Sequence, residues 1–155
     1  MDNTHIRDPG NIPGFFAEPS AGSLYRPLRE AFYTLNYSLW HLNKFGYHLN
    51  SLLLHFFVAL TLFFITLKIT EKALFSIIVS LFFAVHPIHT ERITNMTVTF
   101  DVFGILFFLL SFLAYMAFSG NNKKSYYYLS VLLYLLAIFS TEEAITLILI
   151  LFLYD

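Results

Sequence analysis

Cysteine is missing from all 155 residues, which excludes disulfides, thiolate metal sites and a cysteine nucleophile. Any chemistry is left to carboxylates, histidines, arginines and hydroxyls. Charge is scarce as well: 12% of the residues are Asp, Glu, Lys or Arg, where an average soluble domain has roughly 25%. The formal charge is −1, so there is no basic field to hold nucleic acid, and nucleic acid is not expected as a partner. Glycine-rich phosphate loops, Gly-x-Ser-x-Gly elbows and internal repeats are also lacking. The chain is instead 57% hydrophobic and 19% aromatic, which is not the composition of a water-soluble globule.

Runs free of Asp, Glu, Lys and Arg cover 45–67, 73–90, 102–122, 125–141 and 144–154. A helix needs about 20 residues to cross hydrocarbon, so four crossings are expected, with a fifth if the last, short run is shielded. Barrel strands would alternate apolar and polar residues, whereas Ser51 to Leu67 and Phe103 to Leu113 are apolar on all sides. The expected fold is all-α, a polytopic helical membrane bundle. It divides into a non-cytoplasmic loop plus surface helix over 1–46 and a membrane domain of four to five helices over 47–155.

Prolines and glycines from Pro9 to Gly22 break the first segment into loop, and Pro27 suits the first turn of a helix, where its missing N–H costs nothing. From about Arg26 the residues Leu28, Phe32, Leu35, Leu39 and Leu42 form one apolar stripe, with Arg29, Glu30, Asn36 and Lys44 off it. This helix is expected to lie along the membrane surface. Tyr25, Tyr33, Tyr37, Trp40 and Tyr47 suit either an interfacial belt or packing on a neighbouring helix. Lysines fall at 68, 72, 123 and 124, and the positive-inside rule makes their loops cytoplasmic. Residues 1–46, the loop from His86 to Asn95 and Glu142-Glu143 then share the opposite face. No apolar signal precedes the leading segment, so either a further helix lies upstream or the orientation is inverted.

Polar residues within such a chain are costly and therefore informative. In His86-Pro87-Ile88-His89-Thr90-Glu91-Arg92 the proline ends a helix near His86. The two histidines and Glu91 suit a hydrogen-bonded loop, contacts to an anionic ligand or, as the weakest reading, a divalent metal. Asp101 heads an apolar helix and needs a cation or water, with Arg26 and Arg92 on its face. Glu142 and Glu143, adjacent and so about 100° apart on a helix, are either a wet turn or one cavity-facing carboxylate. His55 reads as a packed, hydrogen-bonded histidine. Asn36-Tyr37-Ser38 and Asn95-Met96-Thr97 match the glycosylation pattern, which is too common to decide anything.

Taken in order, Tyr25-Arg26-Pro27-Leu28, Phe45-Gly46-Tyr47-His48-Leu49-Asn50 with Leu53-Leu54-His55, and Phe83-Ala84-Val85-His86-Pro87-Ile88-His89-Thr90-Glu91 resemble one family. It is that of the transmembrane and tetratricopeptide-repeat O-mannosyltransferases and their bacterial relatives. Asp101 followed by Phe107-Phe108-Leu109-Leu110, and Ser140-Thr141-Glu142 before the run ending Tyr154-Asp155, continue the resemblance in the same order.

The resemblance implies a C-type glycosyltransferase that moves a sugar, mannose, from a polyprenyl phosphate carrier to a protein hydroxyl on the non-cytoplasmic face, with membrane lipids around it. The compartment is then the plasma membrane if bacterial and the endoplasmic reticulum if eukaryotic. The resemblance also implies a first membrane helix and an acidic pair ahead of Met1, so the chain reads as an N-terminal part that is inactive alone. Thr99 and Thr141 stand where the family usually has arginine and lysine. Glu91 and Asp101 are the candidate catalytic carboxylates, and Arg26, His86, His89, Arg92 and Glu142 the candidate substrate-binding groups; no cofactor is indicated for certain, and a divalent metal is the weakest reading. The other readings are a non-catalytic membrane subunit and a channel or transporter component.

Overall fold

The computed structural model describes residues 8–17, 25–90 and 96–154, with the side chains of 96–100 left aside. The described residues form six α-helices: α1 Pro27–Trp40, α2 Lys44–Thr70, α3 Ala73–Val85, α4 Met96–Asn121, α5 Lys124–Ile138 and α6 Leu147–Tyr154. Short 3-10 turns cover Pro9–Phe16, Pro87–His89 and Glu142–Thr146, and among the described residues there is no strand. The expected loop after Asp8 thus contains a 3-10 turn, capped by the Asp8 carboxylate accepting from the Gly10 amide at 2.9 Å.

Local chemistry sets several boundaries. Pro27 opens α1, and Asn43 caps α2 by accepting from the Phe45 amide at 3.0 Å. His86-Pro87 closes α3, with His86 Nδ1 accepting from the Ile88 amide at 3.2 Å. Between α4 and α5 the chain turns through Asn122 at φ 53°, a left-handed conformation that asparagine tolerates better than most residues.

Among the described residues two helices, rather than four or five, reach the full length of a hydrocarbon core. Helices α2 and α4 have 27 and 26 residues, about 40 Å each at 1.5 Å per residue. Helices α3, α5 and α6, with 13, 15 and 8 residues, reach about 20, 22 and 12 Å, short of a hydrocarbon core of about 30 Å. Charge-free runs overstate helix length because backbone breaks need no charge. The run 73–90 is cut at His86-Pro87. The run 125–141 stops where Ser140 Oγ donates back to the Leu136 carbonyl and Thr141, extended at φ −150°, caps the next turn.

Helix α2 packs on α3 and α4, and α4 packs most extensively on α5. Leu54 and Val58 meet Val102 near the start of α4, while Ile65 meets Phe112 and Met116 farther along. Helices α2 and α4 therefore run parallel. Their first ends gather α1, the His86 turn and Glu142; their last ends carry Lys68, Lys72, Lys123 and Lys124. Between α4 and α5 a serine pair closes the contact: Ser111 Oγ donates to the Ser130 carbonyl at 2.8 Å and Ser130 Oγ to the Ser111 carbonyl at 2.9 Å. Such small polar residues let helices approach where there is no water to drive association.

Much apolar surface faces outward. Only 28% of the most apolar stretch of α2 and 33% of that of α4 are buried, which is the reverse of a soluble protein's core helix. Leu74, Phe82 and Val85 on α3 are exposed, as are Leu132 and Leu135 on α5.

Helix α1 packs on the protein through small and polar residues. Its protein-facing side is made of Pro27, Ala31, Thr34 and Asn36, while Leu35, Leu39 and Leu42 of the apolar stripe point away from the other helices. Asn36, placed off the stripe and matching a glycosylation pattern, is 3% exposed. Its Nδ2 donates to the Phe32 carbonyl at 2.8 Å, and its Oδ1 accepts from Asn50 Nδ2. The amide ties α1 to α2 and is not accessible as an acceptor. The stripe is thus divided, with Phe32 packed on the protein and Leu35, Leu39 and Leu42 outward, while small and polar residues beside it make most of the contact.

Two glycines permit close approach. A Cβ on Gly46 would come within 2.1 Å of the Trp40 indole, and one on Gly104 within 2.5 Å of Thr141 Cγ2 and 3.1 Å of Ser140 Cβ. Gly104 thus lets the turn that carries Glu142 press against α4 one helical turn from Asp101. Gly104→Ala is expected to destabilise the fold by about 1–3 kcal/mol through overpacking. Gly120→Ala, with nothing within 4 Å of its added Cβ, is expected to be neutral or stabilising by up to about 1 kcal/mol. Thermal unfolding in detergent checks this; equal effects of the two variants would contradict the close approach.

Candidate functional site

Four charged side chains from three parts of the chain converge at the first end of α4. Arg26, the N-cap of α1, places Nε at 2.8 Å from Glu142 Oε2 while its Nη2 meets Glu142 Oε1, a two-pronged pairing of guanidinium and carboxylate. Its Nη1 lies 3.6 Å from Asp101 Oδ1, and Arg29 Nη1 lies 3.2 Å from the same oxygen. The backbone holds this arrangement in place: the Leu28 amide donates to the Phe139 carbonyl at 3.3 Å, tying the start of α1 to the end of α5. Phe32 of α1 stacks on Phe103 of α4 with ring centroids 4.3 Å apart, fixing the side of α1 that faces α4.

The burial of these groups is unequal. The side chains of Arg26, Arg29 and Asp101 are 14%, 17% and 28% exposed, whereas that of Glu142 is 57% exposed. Asp101 Oδ1 is buried, and among the described residues it meets the guanidinium nitrogens by charge rather than through an aligned hydrogen bond. The hydrogen bond from Arg26 holds the Glu142 carboxyl below its usual range, helped by a backbone hydrogen bond and the positive charges of Arg26 and Arg29. Arg29 also lies over the Tyr33 ring, 6.0 Å from its centroid. Burial pushes the Tyr33 phenol up, outweighing a hydrogen bond from Arg29 that acts the other way.

A second group is aromatic and imidazole. His55 of α2 stacks on Phe83 with centroids 5.3 Å apart, and its Nε2 lies 3.1 Å from the Ala84 carbonyl. His89 sits 4.2 Å from Phe83 and 5.4 Å from His55, with His86 6.1 Å from His89, all by ring centroids. Below them a cavity of about 420 Å³ opens between α2, α3 and α4. Ser51, His55 and His89 form its polar end, and Val58, Leu62, Val102, Ile105 and Leu109 its apolar length. Among the described residues no three His, Asp or Glu side chains are gathered as a metal would need.

Of the sequence candidates, Arg26, Asp101 and Glu142 are brought together, and His86 and His89 form the separate imidazole group. Helix α4 connects the two, since Asp101 is in the ionic cluster and its neighbour Val102 lines the cavity. Glu91 and Arg92, with Asn95, lie outside the described residues. His55 is packed and hydrogen bonded as its isolation implied, and it also lines the cavity. Arg29 was overlooked because it lies off the apolar stripe; the signal that could have found it is its place one turn after Arg26, opposite a membrane carboxylate that needs a cation.

The chain is 40% identical over 78 residues to protein O-mannosyl-transferase TMTC4 of Homo sapiens, covering 46% of this chain and 10% of that protein. It is 37% identical over 76 residues to protein O-mannosyl-transferase TMTC3 of Homo sapiens, covering 47% of this chain and 8% of that protein. The widest of these matches, 32% over 135 residues with TMTC3 of Mus musculus, covers 85% of this chain. The chain is related to the TMTC protein O-mannosyl-transferases. It spans between 8% and 15% of the length of these relatives. No family model matches the chain, and no solved structure does.

The lowered Glu142 carboxyl gives the fold a pH dependence of definite sign. A depressed folded-state value means that the stability from Glu142 is fully present above its unfolded value, about 4.3, and is lost as pH falls through the folded value. Acidification from neutral pH to below about 4 should therefore lower the thermal midpoint of the native chain more than that of Glu142→Gln. Identical acid sensitivity of the two proteins would contradict the pairing with Arg26.

Proposed function

We propose that the chain is the carrier-binding part of an integral-membrane glycosyltransferase that takes a sugar, by relationship mannose, from a polyprenyl phosphate and gives it to a protein hydroxyl. Helices α2 and α4 cross the bilayer, and the end bearing Arg26, Arg29, Asp101 and Glu142 faces the non-cytoplasmic side, opposite the four lysines. The shorter α3 and α5, apolar on their outer faces, complete a multi-pass bundle through local thinning and contact with the long helices.

One observation carries this reading: two arginines are held close together around Asp101 at the first end of α4, and the next residue of that helix, Val102, lines a cavity with His55 and His89 at its polar end and apolar residues along its length. A lipid phosphate has the same division between an anionic head and a hydrocarbon tail. The guanidinium fork matches two phosphate oxygens, and the volume under His55 and His89 falls within the range of small-ligand sites.

In the transfer step the acceptor oxygen attacks the anomeric carbon and the bond from that carbon to the phosphate oxygen breaks. The acceptor proton passes to a carboxylate, and the phosphate leaves on the prenyl chain. Arg26 and Arg29 stabilise the charge that gathers on the leaving phosphate. Asp101, paired with both arginines, is suited to positioning them. Glu91 is then the carboxylate in this chain assigned to proton acceptance.

Binding of geranyl monophosphate to the purified chain in detergent tests this reading. Arg26→Ala is expected to weaken binding tenfold or more, and Arg26→Lys, which keeps the charge but loses the fork, by a smaller factor. Unchanged affinity in Arg26→Ala would overturn the carrier-binding assignment.

A further inference from the structure

The Arg26 fork is already filled in this structure, and the group filling it is a carboxylate. Glu142 presents two oxygens to Arg26 Nε and Nη2, the two-point contact that a phosphate with two terminal oxygens would make. The other partners are more deeply set: Arg26, Arg29 and Asp101 are mostly covered, and Asp101 Oδ1 is buried against both guanidinium groups. Glu142 is more than half exposed and sits at the start of a 3-10 turn whose cap is the Thr141 hydroxyl.

We propose that Glu142 is a place-holding anion, which holds the Arg26 fork extended and is displaced from it by the phosphate of the ligand. The proposal rests on the phosphate-binding reading above and adds what controls access to the same site. Exchange swaps one ionised two-oxygen acceptor for another, so Arg26 never loses its charge partner. Glu142 is already in contact with solvent, so its release carries little desolvation and needs only rotation of its own side chain. Asp101 stays in place and keeps the two arginines together.

The exchange also sets a specificity. A neutral ligand or one with a single acceptor oxygen cannot outcompete a bidentate carboxylate. A phosphate monoester, the form of the carrier once the sugar has left, carries more charge than Glu142 and displaces it more readily than the sugar-linked phosphodiester, which carries one and binds by displacing Glu142 at equal charge. Glu142 therefore weakens phosphate binding overall and keeps the site closed to uncharged lipids, whereas the sequence reading counted it among the groups that hold substrate.

Titration of the full 155-residue chain in detergent with geranyl monophosphate, inorganic phosphate and geraniol provides the test. Removing the competing charge in Glu142→Gln is expected to tighten geranyl monophosphate binding about tenfold. Glu142→Asp, one methylene too short to hold the fork at two points, should tighten it by a smaller factor. Inorganic phosphate should gain by a similar factor if the phosphate alone drives the exchange, and geraniol should gain nothing. In the Arg26→Ala background the gain from Glu142→Gln should vanish.

If Glu142→Gln and Glu142→Asp bind no better than the native chain while Arg26→Ala still loses binding, Glu142 is a positioning partner of the arginine and the inference fails alone. If Arg26→Ala binds normally, the phosphate reading fails and the inference with it. An equal gain for geraniol would mean that Glu142 merely obstructs the cavity, and would also overturn the exchange.

Discussion

A carboxylate at the head of a long apolar helix is the constraint around which this molecule is arranged. Asp101 stands on α4 directly before the charge-free run 102–122, and an unpaired carboxylate there costs roughly 3 kcal/mol or more on insertion scales. The fold meets that cost with two arginines from one helix. For both to reach Asp101, α1 has to lie across the top of α4 with its N-terminal turn inward. The Leu28 to Phe139 backbone hydrogen bond, the Phe32 to Phe103 stack and the Asn36 to Asn50 amide contact hold it there. Arg26, once placed, also takes up Glu142, which the close approach at Gly104 brings within reach.

The two faces of α1 follow from the same constraint. A helix that offers arginines and small residues to its own protein has to turn its leucines elsewhere, and Leu35, Leu39 and Leu42 all point outward. Its place above the bundle and its amphipathic pattern are consequences of a single docking. The cavity under His55 and His89 adjoins the same helix, since Val102, Ile105 and Leu109 of α4 line it.

Much of this was legible in the sequence wherever one residue type forces a local outcome. Pro27 marked the start of α1 and Pro87 the end of α3, and the lysines marked the end of the bundle opposite the arginines. Asp101 announced that it needed a cation, and Arg26 was correctly named as one. What could not be read was anything depending on two distant segments meeting. Glu142 lies 116 residues from Arg26, and nothing in a single sequence pairs them. The lengths of α3 and α5 were overestimated because a run of apolar residues records solubility rather than backbone geometry. Thr141, an unremarkable polar residue in such a run, turns out to be the cap that starts the turn bearing Glu142.

The dependence of the whole arrangement on Asp101 can be measured through its closest arginine contact. A double-mutant cycle with Arg29→Gln and Asp101→Asn, followed by reversible unfolding of the chain in detergent, isolates the energy shared by the pair from that of each residue alone. The account predicts a stabilising coupling of at least about 0.5 kcal/mol, as expected for residues in one charged network. Additivity of the two substitutions within about 0.3 kcal/mol would mean that Asp101 and Arg29 do not act together, and would contradict the claim that this carboxylate organises the site.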